Sequence, residues 1–509
     1  MGAGMPGLSP RRLLPSLSLA FFVLLLAGAP GAALEKQAAP ATGSADTVAR
    51  ARSLRAAGNA AAARRLLEDA LAANPRDGQI ALALAETLVE LQELAKAEEL
   101  LRQLVAALPR RPEPRRALAL TLVRTGKAAE ALEEARAALA LDAKSPDSFF
   151  ALGTASNAVG QPASAIPAFR RVLASRPTDI AALHGLARAY RELEDPAAEE
   201  VYGRAIASAP GNVAVRLDFV EYLWEARQEE RGNQEMEQIL KDAPGDAKLR
   251  AHYGIRLVEQ RKFVQAAQEL GRAWKAGAVE YEVLYFLGTA LLESGRFDEA
   301  IERYREAIAL EPEKVAARHS LGRLLLLRDR PGEASEELAR AAGVEPSSAP
   351  LQLDLGRAYE AAGNFEKAEE AYRRALELDS ELSRAHYTLG TLLARRGRRE
   401  EAQRHIALYQ TAFAKDQEEQ HNAVSRQVEM NLGWALLRQK RPAEALAHFQ
   451  RRTDDVEALH GAGRALSALS RHAEAARTYE RALSLAPEDP RLMYELEKEQ
   501  TLLRQRRKR

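Results

Sequence analysis

The chain has 509 residues, no cysteine, and a formal net charge of +1 that balances 73 basic against 72 acidic side chains. A single hydrophobic core does not serve such a length, so we expect either several domains or a chain of repeats. The lack of cysteine excludes disulfides and thiolate metal sites, and the near-neutral charge argues against a general nucleic-acid binder. Aromatic residues make up only 6%, and the abundance of Ala, Leu, Arg and Glu favours helices over sheets.

The N-terminus has the pattern of a secretory signal peptide over residues 1–33. Arg11 and Arg12 form a short basic region, a largely apolar run follows over 13–26, and small residues lead to the expected cleavage point after residue 33. We therefore expect an exported chain, periplasmic or extracellular, that begins with a flexible linker over 34–43. The alternative is an uncleaved N-terminal anchor, although the run is shorter than the roughly 20 apolar residues that span a membrane.

A period of 34 residues organises the rest of the chain. We number the positions of each unit from its first residue and call them slots. Proline stands at slot 32 in eight units, where chance would place fewer than one, and Gly or Ala stands at slot 8 in twelve units. Apolar residues at slots 4, 7, 8 and 11, then 20, 24 and 27, predict two amphipathic helices with a turn near slot 15. We assign thirteen units: 44–77, 78–111, 112–145, 146–179, 180–212, 213–246, 247–280, 281–314, 315–348, 349–382, 383–416, 426–455 and 456–489.

Each unit has one apolar face for its own partner helix and another for the next unit, so the units must stack. The small–small–proline pattern resembles the tetratricopeptide repeat (TPR) family over about 44–489. The resemblance implies an all-α fold, a right-handed superhelical solenoid of about thirteen 34-residue helix-turn-helix repeats. It also implies a groove lined by the first helix of each repeat, in which such proteins bind proteins or peptides without chemistry of their own.

The pattern is interrupted between repeats 1–11, at 44–416, and repeats 12–13, at 426–489. Residues 417–425 are interpreted as an insertion or as an extension of the second helix of repeat 11; a hinge between the two arrays is the alternative. Residues 490–509 are predicted to form a C-terminal solvating helix with a basic tail. Leu492 and Met493 are among its residues available for packing, and the tail could touch an acidic surface or lipid head groups.

No catalytic motif stands out in the sequence. Nine histidines occur without an HExxH pattern, and there is no P-loop, no GxGxxG after a strand and no GxSxG. His184, His319 and His460 share slot 5, which follows from repetition rather than from a metal site. We therefore expect no enzymatic activity, no cofactor and no metal.

By resemblance to the family, slots 9, 12 and 13 of the first helices face the groove. These slots are acidic in repeats 6 to 8 and basic in repeats 9 to 13, so the groove is expected to change sign near residue 310. A partner with complementary charge halves would fit it; the alternative is that a solenoid surface carries mixed charge without a role. The candidate residues are Glu221, Glu225, Glu259 and Glu293, then Arg323, Arg357, Arg395, Arg438 and Arg464, with the indoles of Trp224 and Trp434 as anchors.

The leading hypothesis is a protein–protein interaction scaffold of the cell envelope that binds a partner protein or peptide in this groove. One alternative is a periplasmic subunit of a polysaccharide or outer-membrane export and assembly machinery; another is a regulatory partner of a separate enzyme. We expect no nucleic-acid partner. Membrane contact is expected only through an uncleaved signal segment or weakly through the basic tail.

Overall fold

The computed structural model describes residues 43–452 and 454–507, which divide into two compact units. The terminal unit comprises the described residues up to Glu235 together with those from Arg452 onward, and the middle unit runs from Met236 to Arg451. The expected signal peptide, all of the expected linker but Gly43, and the last two residues of the basic tail lie outside the described residues.

Every regular element in the described residues is an α-helix. The helices that begin before residue 236 are α1 (Ser44–Ala56), α2 (Ala60–Ala73), α3 (Gly78–Glu90), α4 (Leu94–Ala107), α5 (Pro112–Arg124), α6 (Ala128–Leu141), α7 (Pro146–Ala158), α8 (Pro162–Ser175), α9 (Ile180–Glu192), α10 (Ala197–Ser208), α11 (Val213–Glu225) and α12 (Glu229–Asp242). Those that follow are α13 (Ala247–Glu259), α14 (Phe263–Lys275), α15 (Tyr281–Glu293), α16 (Phe297–Leu310), α17 (Val315–Leu327), α18 (Pro331–Val344), α19 (Ala349–Ala361), α20 (Phe365–Leu378), α21 (Ser383–Arg395), α22 (Arg399–Arg438), α23 (Pro442–Phe449), α24 (Val456–Ala468), α25 (His472–Leu485) and α26 (Pro490–Arg507).

The fold is the expected all-α solenoid of helix pairs. In twelve of the thirteen repeats the first helix begins at the first residue of the assigned unit. Several of these starts are capped; the Asp246 carboxylate, for example, accepts the amide hydrogen of Leu249 at 2.9 Å. From α1 to α9 and from α13 to α19, the first helix of each repeat contacts both its own second helix and the first helix of the next repeat.

Slot 15 of the repeat is a turn residue in the left-handed region of the backbone. Seven of these residues have side chains and six are glycines, with φ between 52° at Glu194 and 80° at Gly397. Glycine adopts this conformation without strain, whereas a residue with a Cβ pays for it. The turn is therefore the reason why glycine recurs at this slot.

The small residue at slot 8 makes room for a large side chain at slot 24 of the same repeat. A Cβ added to Gly356 would lie 2.5 Å from the ring of Tyr372, and one added to Gly288 would lie 2.8 Å from the ring of Tyr304. Both tyrosine rings are fully buried. The two helices of each repeat can approach closely because slot 8 carries no bulk.

Helix α22 joins repeats 11 and 12 as one continuous helix of 40 residues. It combines the second helix of repeat 11, residues 417–425, and the first helix of repeat 12. The extended-helix interpretation thus describes the local structure, and the extension reaches farther than repeat 11 alone. Residues 414–424 are all exposed.

The C-terminal helix α26 packs against the fifth repeat, within the terminal unit, instead of serving only as a solvated end. The Tyr494 hydroxyl donates to the Asp195 carboxylate at 3.3 Å, and the Lys498 ammonium lies 3.5 Å from the same oxygen. Tyr494 also packs on the aromatic core around α9 and α10. Leu492 is fully buried, but Met493 is 47% exposed, so the expectation that Met493 packs was wrong.

None of the described helices combines the length and the apolar character needed to cross a membrane.

Candidate partner-binding surface

Six of the predicted groove residues lie in the middle unit, on six first helices. Glu259 and Glu293 stand at the ends of α13 and α15, and the four arginines follow on α17, α19, α21 and α22. All six are exposed, and from α13 to α21 each first helix contacts the next. The sign of the exposed charge therefore changes between α15 and α17. The four arginines are Arg323, Arg357, Arg395 and Arg438.

These charges are partly balanced within the chain. Glu259 receives a 2.6 Å contact from Arg256 on its own helix, and Arg395 lies 2.9 Å from Glu360. The Arg395 side chain nevertheless remains 69% exposed. Exposed pairs of this kind contribute roughly 0–1 kcal/mol each, so they leave the guanidinium groups able to exchange partners.

Asp354 organises the centre of the basic stretch. His319 approaches the Asp354 carboxylate to 2.9 Å, Arg357 to 3.1 Å and Arg323 to 3.7 Å. Burial by itself would raise the pKa of Asp354, but the hydrogen bond with His319 and the two nearby guanidinium groups lower it below its usual value. The carboxylate thus stays charged and holds the three basic side chains in one place.

The terminal unit contains a second copy of this cluster. His184 lies 2.6 Å and Arg188 3.7 Å from the Asp218 carboxylate, and the pKa of Asp218 is lowered for the same reasons. In both copies the histidine is at slot 5, the arginine at slot 9, and the aspartate at slot 6 of the next repeat. Sequence reasoning noticed the recurring histidine but missed the aspartate. The signal that could have revealed the aspartate is the spacing of 34 to 35 residues between each histidine and its aspartate, which is one repeat length.

Two further residues that the sequence assigns to the groove lie near one another on α11. The Glu225 carboxylate is half-exposed and accepts two hydrogen bonds from Arg191, at 2.6 and 2.7 Å. Glu221 is half-buried on the same helix. Among the acidic candidates of this unit, Glu225 is therefore the more accessible, and it is already held by a cation.

Trp224 is not available as an anchor for a partner, contrary to the prediction. Its indole is 3% exposed and donates from Nε1 to the Asn233 side chain at 2.9 Å. The ring lies where Gly232 leaves room, since a Cβ there would be 2.5 Å from the indole. Repeat 6 is the one repeat with a large residue, Val220, at slot 8, and the tryptophan uses the space that glycine opens at slot 20.

Trp434 and Arg464 are also held within the chain. Trp434 is half-buried and its ring meets Phe449 edge-on at 5.2 Å. Arg464 donates to the backbone carbonyl of Glu194 at 2.9 Å, and its side chain is only 18% exposed. Arg464 thus belongs to the contact between the C-terminal helices and repeat 5, and the prediction that it lines an open groove was wrong.

One cluster in the terminal unit has the composition of a metal site. Ligand atoms of Glu194, Glu457 and His460 lie within 4.8 Å of one another. Arg491 places its guanidinium nitrogens 2.8 Å from both carboxylates, so a cation of the chain itself already occupies the position between them. Burial lowers the pKa of His460 to about 3, with Arg464 and Arg491 adding to the decrease. The cluster is therefore a structural ion-pair network.

Family models described as tetratricopeptide repeat match the chain over most of its length. The matched ranges are 54–121, 116–179, 150–213, 291–352, 349–382, 383–407, 403–457 and 458–492. The chain belongs to the tetratricopeptide repeat family. No curated protein matches it significantly.

Chains of many solved structures match this chain, and the three described here cover about a third of it. A crystal structure of MamA is 24% identical, covers 32% of this chain and 96% of its own, and gives a TM-score of 0.31. MamA from Desulfovibrio magneticus RS-1 is 25% identical over 33% and 96%, with a TM-score of 0.32. YrrB, described as a TPR protein with an unusual peptide-binding site, is 22% identical over 36% and 95%, with a TM-score of 0.34.

Proposed function

We propose that the chain is a protein-binding scaffold that holds an extended partner along the first helices of the middle unit. The observation that supports this is the ordered change of exposed charge, from Glu259 and Glu293 to the arginines that begin with Arg323. We infer binding rather than catalysis, since the family uses this fold to present a surface.

The length of the surface sets the length of the partner. The five neighbouring first helices from α13 to α21, spaced by about 9 Å, extend over roughly 36 Å, which an extended segment of about eleven residues would cover. The partner would carry basic residues opposite the glutamates and acidic residues opposite the arginines. Because exposed pairs are individually weak, the charge pattern contributes mainly to orientation, association rate and salt dependence.

The test uses a synthetic peptide of about eleven residues with a lysine-containing half and a glutamate-containing half, labelled for fluorescence anisotropy. We expect it to bind the full chain, and the double variant Arg357→Glu and Arg395→Glu to bind at least tenfold more weakly with a smaller salt dependence. The matched control reverses Arg340 and Arg374, exposed arginines of the second helices α18 and α20. Equal affinity and equal salt dependence in both variants would contradict the proposal.

We further propose that the scaffold works in the cell envelope, on the strength of the signal-peptide pattern of residues 1–33. A fusion of the whole chain to a reporter that is active only after export should be active, and the N-terminus of the exported product should be Leu34. Loss of reporter activity on replacing residues 21–26 with charged residues is expected. An equally active reporter after that change would exclude the assignment.

A further inference from the structure

We propose that repeat 11 contains an acid-sensitive switch, a contact between His386 on α21 and His405 on α22 that breaks when both side chains are protonated. The reasons are the place of this pair in the repeat, the direction of its hydrogen bonds and the number of protons that it can hold. Acid would open this contact and separate α21 from α22 locally, whereas repeats with a different pair at the same slots would stay closed.

The same two slots hold an ion pair in other repeats. In repeats 3, 6, 7 and 9, slots 4 and 23 carry an arginine and a glutamate whose nearest atoms lie within 2.8 Å of each other. These pairs are Arg115–Glu134, Arg216–Glu235, Arg250–Glu269 and Arg318–Glu337. Repeat 11 has His386 at slot 4 and His405 at slot 23. It thus replaces both charged partners by histidine, the residue type that titrates between about pH 5 and 8.

The position of one hydrogen on His386 follows from its other partner. In repeats 7 and 9 the arginine at slot 4 also donates to the carbonyl of the proline at slot 32 of the preceding repeat, at 3.1 and 3.4 Å. His386 makes the same contact through Nε2, which lies 3.0 Å from the Ser380 carbonyl oxygen. Because a carbonyl oxygen can only accept, Nε2 carries the hydrogen, and Nδ1 of the neutral ring is an acceptor.

His405 supplies the donor that this acceptor needs. Its Nδ1 lies 3.0 Å from Nδ1 of His386, which is a hydrogen-bonding distance. The ring centroids are farther apart, at 5.3 Å, so the two rings meet through these nitrogens rather than face to face. His386 is only 6% exposed, and His405 is half-buried. The neutral pair is therefore joined by one hydrogen bond in a largely buried contact.

This hydrogen bond limits the number of protons that the two rings can hold. Two neutral rings carry two ring hydrogens, and two protonated rings carry four. Only one hydrogen fits between the two Nδ1 atoms, so the closed pair carries three at most. A pair exposed to water takes up both additional protons below about pH 6.5. Acid therefore favours the open state by at least one proton.

The charged neighbours of the pair act in the same direction on balance. Burial lowers the pKa of His405, and His386 and Arg373 of α20 lower it further. Glu401 opposes them, but its carboxylate already lies 3.2 Å from the Arg373 guanidinium. Below about pH 6.5 the closed pair thus binds fewer protons than the open pair, and its stability falls as the pH falls.

Two further contacts join the same helices farther along α22. Lys415 lies 2.6 Å from Glu381, and the Ser383 hydroxyl donates to Asp416 at 2.7 Å. Both carboxylates titrate well below the histidines, so the histidine pair is the first of these contacts to respond to acid. Helix α21 also carries Arg395, and opening would displace this arginine from the surface proposed above. That consequence rests on the proposed function, whereas the opening itself does not.

The first test measures amide hydrogen exchange of the full chain over residues 383–408 at pH 7.5 and pH 5, corrected for intrinsic exchange rates. One proton of difference should favour opening about thirtyfold more at pH 5 than at pH 7.5. The double variant His386→Arg and His405→Glu restores the pair of repeat 9 and should respond less than threefold. EDTA is present throughout, so that no metal ion bridges the imidazoles. An equal response of the two chains would overturn the proposal.

The second test moves the switch to another repeat. Arg318→His combined with Glu337→His should make repeat 9 open more at pH 5 than at pH 7.5, by a similar factor over residues 315–340. The matched control is Arg318→His alone, because a protonated histidine would then face a glutamate and acid should strengthen the contact. Circular dichroism at pH 7.5 checks that both variants fold. Equal acid responses of these two variants would show that the histidine pair is not the sensor.

Discussion

Single positions in this protein are specified by close packing between the helices of each repeat. Gly356 is a clear example, because the ring of Tyr372 fills the space beside it and the Tyr372 hydroxyl is fixed by a 2.7 Å hydrogen bond to Glu360. The ring therefore has little freedom to move away. Other glycines in helices have no such neighbour; Gly271, within α14, would meet nothing within 4 Å.

This contrast gives a matched pair of substitutions. Gly356→Ala should lower the free energy of unfolding by about 1–3 kcal/mol, because overpacking outweighs the better helix propensity of alanine. Gly271→Ala should raise it by up to about 1 kcal/mol, since only the propensity changes. Thermal and urea unfolding of the full chain would measure both. An increase in the free energy of unfolding on Gly356→Ala would show that the ring of Tyr372 can move aside.

A second residue-scale prediction concerns pH. His460 is buried, and its pKa is lowered from 6.5 to about 3 by burial first and then by Arg464 and Arg491, with Asp489 opposing them. Between these two values the unfolded chain binds a proton that the folded chain does not. The contribution of this group to stability is therefore complete above about pH 6.5 and is lost as the pH falls toward 3.

At pH 5 the loss from His460 alone should be about 2 kcal/mol relative to pH 7.5. Urea unfolding at the two pH values would measure it in the natural chain and in His460→Gln. The free energy of unfolding should depend less on pH in the His460→Gln chain, because that chain takes up close to one proton fewer on unfolding. If both chains lose the same stability between the two pH values, His460 is not the group that titrates.

At the scale of the helices, the turn inside each repeat is uniform in backbone geometry but not in residue type. Lys440, between α22 and α23, has a φ of 59°, as do Arg261 and Ser470 at the same slot of other repeats. The repeat imposes the same turn on all of them, because both helices must reach their packed positions.

Replacing Lys440 with glycine should therefore stabilise the chain. Lys440 is exposed, so the main change is relief of the left-handed conformation, and we expect an increase of about 0.5–1 kcal/mol in the free energy of unfolding. Lys440→Ala keeps the Cβ and serves as the control, with an expected change near zero. The melting temperatures of the two variants decide the matter; equal values would mean that the turn is not strained.

At the scale of the whole molecule, contacts within the terminal unit join segments that are nearly 300 residues apart in the chain. Arg491 lies 2.8 Å from Glu194 and 2.8 Å from Glu457, and it also pairs with Asp489. Its side chain is only 16% exposed, so removing it would take away the guanidinium group that pairs with all three carboxylates.

We expect Arg491→Ala to lower the local stability of the fifth repeat, although the substituted residue is far from that repeat in the chain. Amide hydrogen exchange should become faster over residues 190–200 in the full-length variant, although no residue there is changed. Arg481→Ala, an exposed position on α25, is the control and should leave this segment unaffected. Unchanged protection of 190–200 in Arg491→Ala would mean that the contact contributes nothing to that repeat.

The repeat could be predicted from the order of residues alone. Slot 8, slot 15 and slot 32 predict helix pairs and their boundaries because close packing, a left-handed turn and helix termination each demand a particular residue type at a short distance in the chain. The sign change among the exposed charges of the middle unit could likewise be read from residue order, since every first helix presents the same slots. Its role in binding stays a prediction.

Which of these side chains remain accessible could not be predicted from the residue order, because it depends on how the helices pack. Trp224 turned inward because Gly232 leaves a space for its ring, and Arg464 turned to repeat 5 because α24 and α26 pack there. Neither outcome follows from slot number, since it depends on what lies across from the side chain. A repeat pattern encodes contacts between neighbours, whereas contacts between distant segments depend on how the helices finally pack.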